Sequence, residues 1–406
     1  MTIIGCPSVD EMPSDKDSML PRLPRGSKVL VTGATGFIGG RLVERLLEQQ
    51  GALVRCAIRD VSRAGRLGSA ELVRVDFCNA DDVDRAVNGV DYVFHCAYDW
   101  QSRRQNINGL RNILRACLAY SVSRLVHVST FSVYQLLPDG PLVEEALDGD
   151  RWNTYVDTKL DLEKIVFEAV RKHGLPATIV QPTIVYGPFG IAWTTIPAEQ
   201  LVFGEVILPD RGEGMCNALY VDDLVDGLFL AALSPAAIGE RFLMSGPKPV
   251  TWGTFYTEMA HSLGVKPPTF RPHEMIENSS RESYLKYRIK HLVKLFAYWK
   301  PARLALRTGQ GVILGRLQKM KRDDPRSSRD PNARRENEGR EVFLPNRSLL
   351  AFYRSTATVG SEKARFKLGY SPRFDFQRGM ALTSGFLESK YGEIVRSLPA
   401  AQAVKN

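Results

Sequence analysis

The segment "KVLVTGATGFIGGRLVERLLEQ", residues 28–49, constrains the fold of this chain more than any other. An apolar, β-type run from Lys28 to Thr32 passes through Gly33, Gly36 and Gly39 into a helical pattern. Phe37, Ile38, Leu42, Val43, Leu46 and Leu47 carry that helical spacing. Each glycine has a mechanical reason: one permits a tight turn, one lets backbone approach a pyrophosphate, and one allows close helix–strand packing. Free N–H groups at the helix start would then face phosphates. The pattern predicts a dinucleotide-binding turn with Gly33, Thr35, Gly36, Phe37, Ile38 and Gly39 at the cofactor; the plainer reading is an ordinary tight strand-to-helix turn.

After this turn the chain alternates. "ALVRCAI" (52–58), "ELVRV" (71–75), "DYVFHCA" (91–97) and "RLVHVST" (124–130) read as strands. "DDVDRAV" (81–87) and "NINGLRNILRACLAY" (106–120) read as helices between them. Such alternation predicts an α/β fold, a doubly wound parallel sheet with helices on both faces. The 406 residues leave room for a second, smaller domain. We expect a dinucleotide-binding domain over 27–190, with 212–235 returning to it, and a substrate-binding domain from 191–275 and 345–395. An insertion spans 276–344, and residues 1–26, acidic and proline-rich, read as a disordered leader and not as a secretory signal.

An apolar fraction of 44% and a charged fraction of 24% are those of a globular protein. No run approaches the roughly 18 apolar residues of a membrane span. The six cysteines, Cys6, Cys56, Cys78, Cys96, Cys117 and Cys216, have no C-x-x-C spacing and predict no zinc or other metal site. They read as small core residues of a reducing, cytoplasmic compartment. The net charge of +9 is local: eleven of the 54 basic residues, and none of the 45 acidic ones, lie between Tyr284 and Arg322. Without that stretch the chain is close to neutral, which argues against specific nucleic-acid binding.

"RWNTYVDTKLDLEKIV" (151–166) places Tyr155 four residues before Lys159, where a helical pattern begins. Positions i and i+4 are neighbours on a helix, so the two side chains can cooperate, whether in catalysis or on a solvated face. The spacing alone does not decide.

The order of motifs does. "TGATGFIG" (32–39), "VDF" (75–77), "VFHCA" (93–97), "NINGLRN" (106–112), "VHVSTFSVY" (126–134), "YVDTK" (155–159), "QPTIVYGP" (181–188), "YVDDLVDG" (220–227) and "SEKARFKLGYSPRFDFQRGM" (361–380) follow one another. The chain thereby resembles the extended short-chain dehydrogenase/reductases, a group that includes nucleotide-sugar epimerases and dehydratases. The resemblance implies that Tyr155 and Lys159 are the proton-transfer pair, with Thr130 fixing the substrate oxygen and Lys159 also meeting the nicotinamide ribose. Ser129 should pack toward the sheet, whereas Ser132 is placed to touch substrate. A free phenol titrates near 10; a nearby cation favours phenolate, each unit amounting to about 1.4 kcal/mol. The resemblance places Asp76 and Phe77 at the adenine, Cys96, Ala97 and Tyr98 near the nicotinamide, and Pro182 and Thr183 along the cofactor. Arg59, Arg63 and Arg66 cluster where a 2′-phosphate would be accepted, which favours NADP(H). Asp60 keeps NAD(H) open.

Three departures narrow the function. Dehydratases of this group carry an Asp-Glu pair after the catalytic Thr; here Phe131 and Ser132 stand there, leaving no proton carrier for water elimination. "GMCNALYVDD" (214–223) has Cys216 and Asn217, with no arginine for a nucleotide-sugar diphosphate unless Arg211 substitutes. The expected activity is hydride transfer between nicotinamide and a secondary alcohol or ketone carbon of a small molecule. A nucleotide-sugar epimerase and a non-catalytic NADP-binding regulator are the alternatives, and a homodimer is left open.

The third departure is "YLKYRIKHLVKLFAYWK" (284–300), which sets Leu285, Ile289, Leu292, Val293, Phe296 and Trp299 on one helical face and Lys286, Lys290 and Lys294 on another. Such a helix serves either as a lid over the substrate or as a peripheral contact with an anionic membrane at its cytoplasmic face. Each cation near an anionic bilayer contributes about 1 kcal/mol, within a Debye length of the surface. If residues 284–322 bind membrane, the protein sediments with anionic and not neutral vesicles at low salt, and Lys286/Lys290/Lys294→Glu abolishes this. Wild-type protein left in the supernatant favours the lid.

Overall fold

A computed structural model describes residues 21–49, 51–134, 139–145, 154–277 and 341–398. Most of the expected leader, the basic stretch 284–322 and most of the insertion lie outside the described residues. Among the described residues no helix is long and apolar enough to cross a membrane.

Lys28–Thr32 forms β1 and Phe37–Glu48 forms α1. Then come β2 (Leu53–Ile58), β3 (Glu71–Arg74), α2 (Ala80–Val87), β4 (Tyr92–His95), α3 (Arg103–Ala119) and β5 (Arg124–Val128). The short β6 (Pro141–Leu142) precedes α4 (Thr154–His173), β7 (Ala177–Pro182), β8 (Ile184–Tyr186), α5 (Ile196–Phe203) and β9 (Gly204–Pro209). Next are β10 (Met215–Cys216), β11 (Ala218–Tyr220), α6 (Val221–Leu233), β12 (Arg241–Met244), β13 (Val250–Thr251), α7 (Trp252–Leu263) and β14 (Thr269–Arg271). The chain closes with β15 (Glu341–Phe343), α8 (Arg347–Arg354), β16 (Thr358–Val359), α9 (Glu362–Leu368) and α10 (Phe376–Arg396).

The central sheet has seven parallel strands in the order β12-β7-β5-β4-β1-β2-β3. The expected doubly wound sheet is what the chain forms. Its order reverses between β1 and β4, the switch point beyond whose carboxyl ends such sheets bind ligands. One face carries α2, α3 and α4, which bury Leu30, Val93, Leu125, Ala177 and Ile179 with Leu110, Ile113, Leu162 and Val166. The other carries α1 and α6, where Phe94 meets Phe229 edge-on. Strands covered on both faces must be apolar on both, which is why they read as continuous runs.

Toward the strand ends the first face turns polar. Thr32, His95, His127 and Gln181 each follow an apolar core residue by two positions and so lie on the same side. All four are buried. The His95 and His127 rings stack with centroids 5.2 Å apart, and His95 Nδ1 lies 2.8 Å from Thr32 Oγ1. Neither ring nitrogen of His127 has a hydrogen-bond partner among the described residues. Burial pushes His95 down to about 3 and His127 well below its ordinary value, and the charge of Lys159 acts in the same direction.

Two compact units divide the described residues: those within 1–195, 215–250 and 356–387, and those within 196–214, 251–355 and 388–406. Residues 356–387 thus cluster with the sheet, whereas the sequence grouped 345–395 with the substrate part. The physical reason is a carboxylate clamp. Buried Asp223 accepts the backbone N–H groups of Arg373 (2.7 Å) and Phe374 (3.0 Å). Asp226 receives Arg373 at 2.8 Å and Arg45 at 2.9 Å. Tyr220 and Phe374 pack beside them, and Tyr186 against Phe376. In the second unit β14 and β15 flank β9, both parallel to it. Trp252 packs on Phe255, Phe352 and Tyr353 there, and the Tyr256 and Tyr353 hydroxyls lie 2.8 Å apart.

A neutral buried histidine makes stability depend on pH. Below about 6.5 the unfolded chain takes up a proton that the native chain refuses, so stability falls as pH falls, by about 1.4 kcal/mol per unit for each such histidine. Between pH 6.5 and 5 His95, held down to about 3, therefore removes about 2 kcal/mol, and His127 acts in the same direction. His127→Leu, which deletes a ring with no hydrogen-bond partner among the described residues, is expected to fold and to reduce the acid-induced loss. Urea midpoints at pH 7 and pH 5 check this; an unchanged difference would mean that native His127 takes up the proton.

Candidate active site

The loop between β1 and α1 is built so that only backbone fits. Gly33 has φ +68°, and a Cβ on it would lie 2.7 Å from the backbone nitrogen of Ala97. A Cβ on Gly39 would lie 2.3 Å from the Gly33 carbonyl oxygen. The Ala97 N–H donates to Thr32 Oγ1 at 3.2 Å, so the ends of β1 and β4 are pinned together. Gly36 caps α1 without a side-chain hydrogen bond, and no acid occupies the first turn. An uncapped helix start on a side-chain-free loop fits a pyrophosphate. Thr35, Phe37 and Ile38 are partly exposed in this turn.

At the end of β2, Arg59 is 64% exposed at its side chain and donates through Nη1 to Asp99 at 2.8 Å. Asp60 caps the following turn by accepting the Ser62 N–H. Arg66 is held by Glu44 of α1 and lies over the Phe189 ring. Asp76 is exposed and accepts the Cys78 N–H, while Phe77 meets His95 edge-on. These residues lie along the strand ends from β2 to β4.

Thr130, Tyr155, Lys159, Cys96 and Tyr98 come together where β4 and β5 end. The Thr130 hydroxyl is the polar neighbour of the Tyr155 phenol; Thr130 Oγ1 itself accepts the Ser132 N–H and donates to Ser132 Oγ, each at 3.2 Å. Burial pushes the Tyr155 phenol up to about 12, and the Thr130 hydroxyl only partly opposes it. The protein by itself therefore keeps the phenol neutral, contrary to the acidified tyrosine expected from a neighbouring lysine. Lys159 explains why. Its Nζ donates to the Val128 carbonyl at 2.8 Å and sits 4.9 Å from the Tyr98 ring centroid. Burial lowers Lys159 to about 8, and the Glu163 carboxylate resists that fall. Cys96 is itself pushed up to about 12 by burial. Pro182 and Thr183 are buried at the end of β7, beside β5 through the bond from Ser129 N–H to Val180 O.

The sequence reading missed Glu163, Gln181 and Trp100. Ser129, expected to face the sheet, donates to buried Glu163, which also accepts two bonds from Gln181 Nε2, at 2.9 and 3.1 Å. Glu163 continues the four-residue ladder of Tyr155 and Lys159 along α4, and that spacing was a legible signal. Trp100 stacks on Tyr155 with centroids 5.0 Å apart. No sequence spacing marks it.

The parallel sheet, the glycine turn and this cluster define a dinucleotide-dependent enzyme of the short-chain oxidoreductase kind. The chain belongs to the NAD dependent epimerase/dehydratase family, whose model matches residues 29–244. It is an extended short-chain enzyme of the dehydrogenase, reductase or epimerase type. It is 27% identical over 270 residues to a 2-alkyl-3-oxoalkanoate reductase of Shewanella oneidensis, covering 62% of this chain and 70% of that one. It is 29% identical over 268 residues to a 3 beta-hydroxysteroid dehydrogenase/Delta 5-->4-isomerase of Mycobacterium tuberculosis, covering 60% and 71%. Among solved structures, the UDP-glucuronic acid 4-epimerase of Bacillus cereus, in complex with UDP-glucuronic acid and NAD, shares the fold at a TM-score of 0.62 and 20% identity, over 90% of this chain and 100% of that one.

Proposed function

We propose that this enzyme reduces a ketone, or oxidises the matching secondary alcohol, with Tyr155 as the proton carrier. The observation that carries the reading is the gathering of Thr130, Tyr155 and buried Lys159 at the end of β5. The bound nicotinamide supplies or accepts the hydride. A phenol held neutral, up to about 12, is the form that gives its proton to a carbonyl oxygen. Thr130 donates a second hydrogen bond to that oxygen and fixes its position. Lys159, cationic below its value of about 8, stabilises the phenolate left behind once its ammonium turns from the Val128 carbonyl toward Tyr155. Gly33, Thr35, Gly36, Phe37, Ile38 and Gly39 hold the pyrophosphate, Asp76 and Phe77 the adenine end, and Cys96, Ala97, Tyr98, Pro182 and Thr183 the nicotinamide end.

The epimerase alternative is weakened at Cys216 and Asn217. Cys216 is fully buried, and the Asn217 amide is committed to Ala357 O and Val359 N–H, so neither is offered to a diphosphate. NADP(H) is supported by Arg59, which is exposed at the end of β2, while Asp60 is occupied as a cap.

The test follows nicotinamide absorbance with each of the four cofactor forms and a panel of ketones and secondary alcohols. Tyr155→Phe is expected to lose at least about 100-fold in turnover, with cofactor affinity within about twofold of wild type. A variant turning over near the wild-type rate ends the assignment. Ketone reduction should also decline above about pH 8, as Lys159 loses its proton. Arg59→Asp should move preference from NADP(H) toward NAD(H) by about ten- to hundredfold, the worth of a charge-assisted bond to phosphate. Equal wild-type affinity for both cofactors would refute the role of Arg59.

A further inference from the structure

Trp100 is 77% exposed, yet it is not a loose surface residue. Its indole lies nearly parallel to the Tyr155 ring, with planes 14° apart. Tyr98 meets both rings edge-on, at 5.0 Å from Trp100 and 5.2 Å from Tyr155. The backbone on either side is pinned. The Asp99 carboxylate accepts the N–H groups of Gln101 (2.8 Å) and Ser102 (3.2 Å). The Asp99 N–H donates to Asn106 Oδ1 at 2.8 Å, and its carbonyl accepts from Asn106 Nδ2 at 2.7 Å. Ser102 then caps α3 by accepting the Gln105 N–H.

A large apolar ring held rigidly in water gains free energy when another apolar surface covers it, and rigidity means that little side-chain entropy is lost in doing so. Here the exposed ring stands against the phenol that any reacting oxygen must reach. We infer that Trp100 is a specificity-determining wall of the substrate site, and that the substrate carries a broad apolar body, an alicyclic or long-alkyl ketone or secondary alcohol, packed on the indole. The inference rests on the oxidoreductase reading of Tyr155. A sugar ring can also stack on an indole, so the experiment includes one.

Binding of cyclohexanone, 2-decalone and a 3-ketosteroid is measured by isothermal titration calorimetry, which needs no tryptophan reporter, with UDP-glucose as the polar comparison. The same ketones give KM and kcat where turnover occurs. Wild-type affinity should rise with each added ring. Trp100→Ala should weaken the 3-ketosteroid by about tenfold, corresponding to about 1.4 kcal/mol, and cyclohexanone by less than about twofold. Trp100→Phe should restore most of the loss, and KM should move far more than kcat. Equal weakening of all ketones, a fall in kcat at constant KM, or tighter binding of UDP-glucose than of any ketone would overturn the proposal. If no ketone or alcohol is turned over, the oxidoreductase reading fails, while the binding series still decides the role of Trp100.

Discussion

One buried carboxylate sets the orientation of α4. Glu163, 2% exposed, is held by Ser129 at the end of β5, by Gln181 in β7 and, at 3.6 Å, by Arg241 in β12. Gln181 in turn accepts the Tyr134 hydroxyl at 2.8 Å. Removing a partner from such a pair leaves an uncompensated charge in the interior, at a cost of about 3–5 kcal/mol. The helix α4 therefore cannot rotate about its axis without breaking several bonds together. With Glu163 facing the sheet, Lys159 one turn earlier must face it too, and Tyr155 a turn before that reaches the strand ends.

The electrostatics of the site follow from this placement. Burial disfavours every charge nearby: the histidines are neutral, the Cys96 thiol stays protonated and the Tyr155 phenol is held up to about 12. Lys159 carries its charge against the same penalty because the Val128 carbonyl and the Glu163 carboxylate face it. A low-polarity surrounding of this kind magnifies whatever charge does develop during reaction.

Much of this was legible in the sequence, because it is written locally. The glycine turn, the strand and helix alternation and the Tyr155–Lys159 ladder each need only a few consecutive residues. What escaped depends on pairings across long separations. Arg59 meets Asp99 forty residues later, and the sequence offers many acids it might have met instead. Asp223 and Asp226 clamp Arg373 across about 150 residues, so nothing near residue 373 announces which unit it joins. Trp100 is a single residue in a turn, and its significance lies in the ring it faces. The neutral phenol escaped for a different reason. Spacing puts a lysine beside a tyrosine, but the packing of α4 against β5 turns the ammonium to the Val128 carbonyl.

The clamp on residues 373–374 also has a consequence for biosynthesis. The sheet-bearing unit is not contiguous: β12 ends at Met244, but the segment that covers Tyr186 and Tyr220 begins near Phe374. A ribosome adding roughly 5–20 residues per second needs on the order of ten seconds to make the intervening chain. During that interval the nascent sheet lacks the later segment that packs against Tyr186 and Tyr220. The order of segments along the chain thus leaves the sheet-bearing unit incomplete until residues near 374 are made, and truncation after β12 would leave it so permanently.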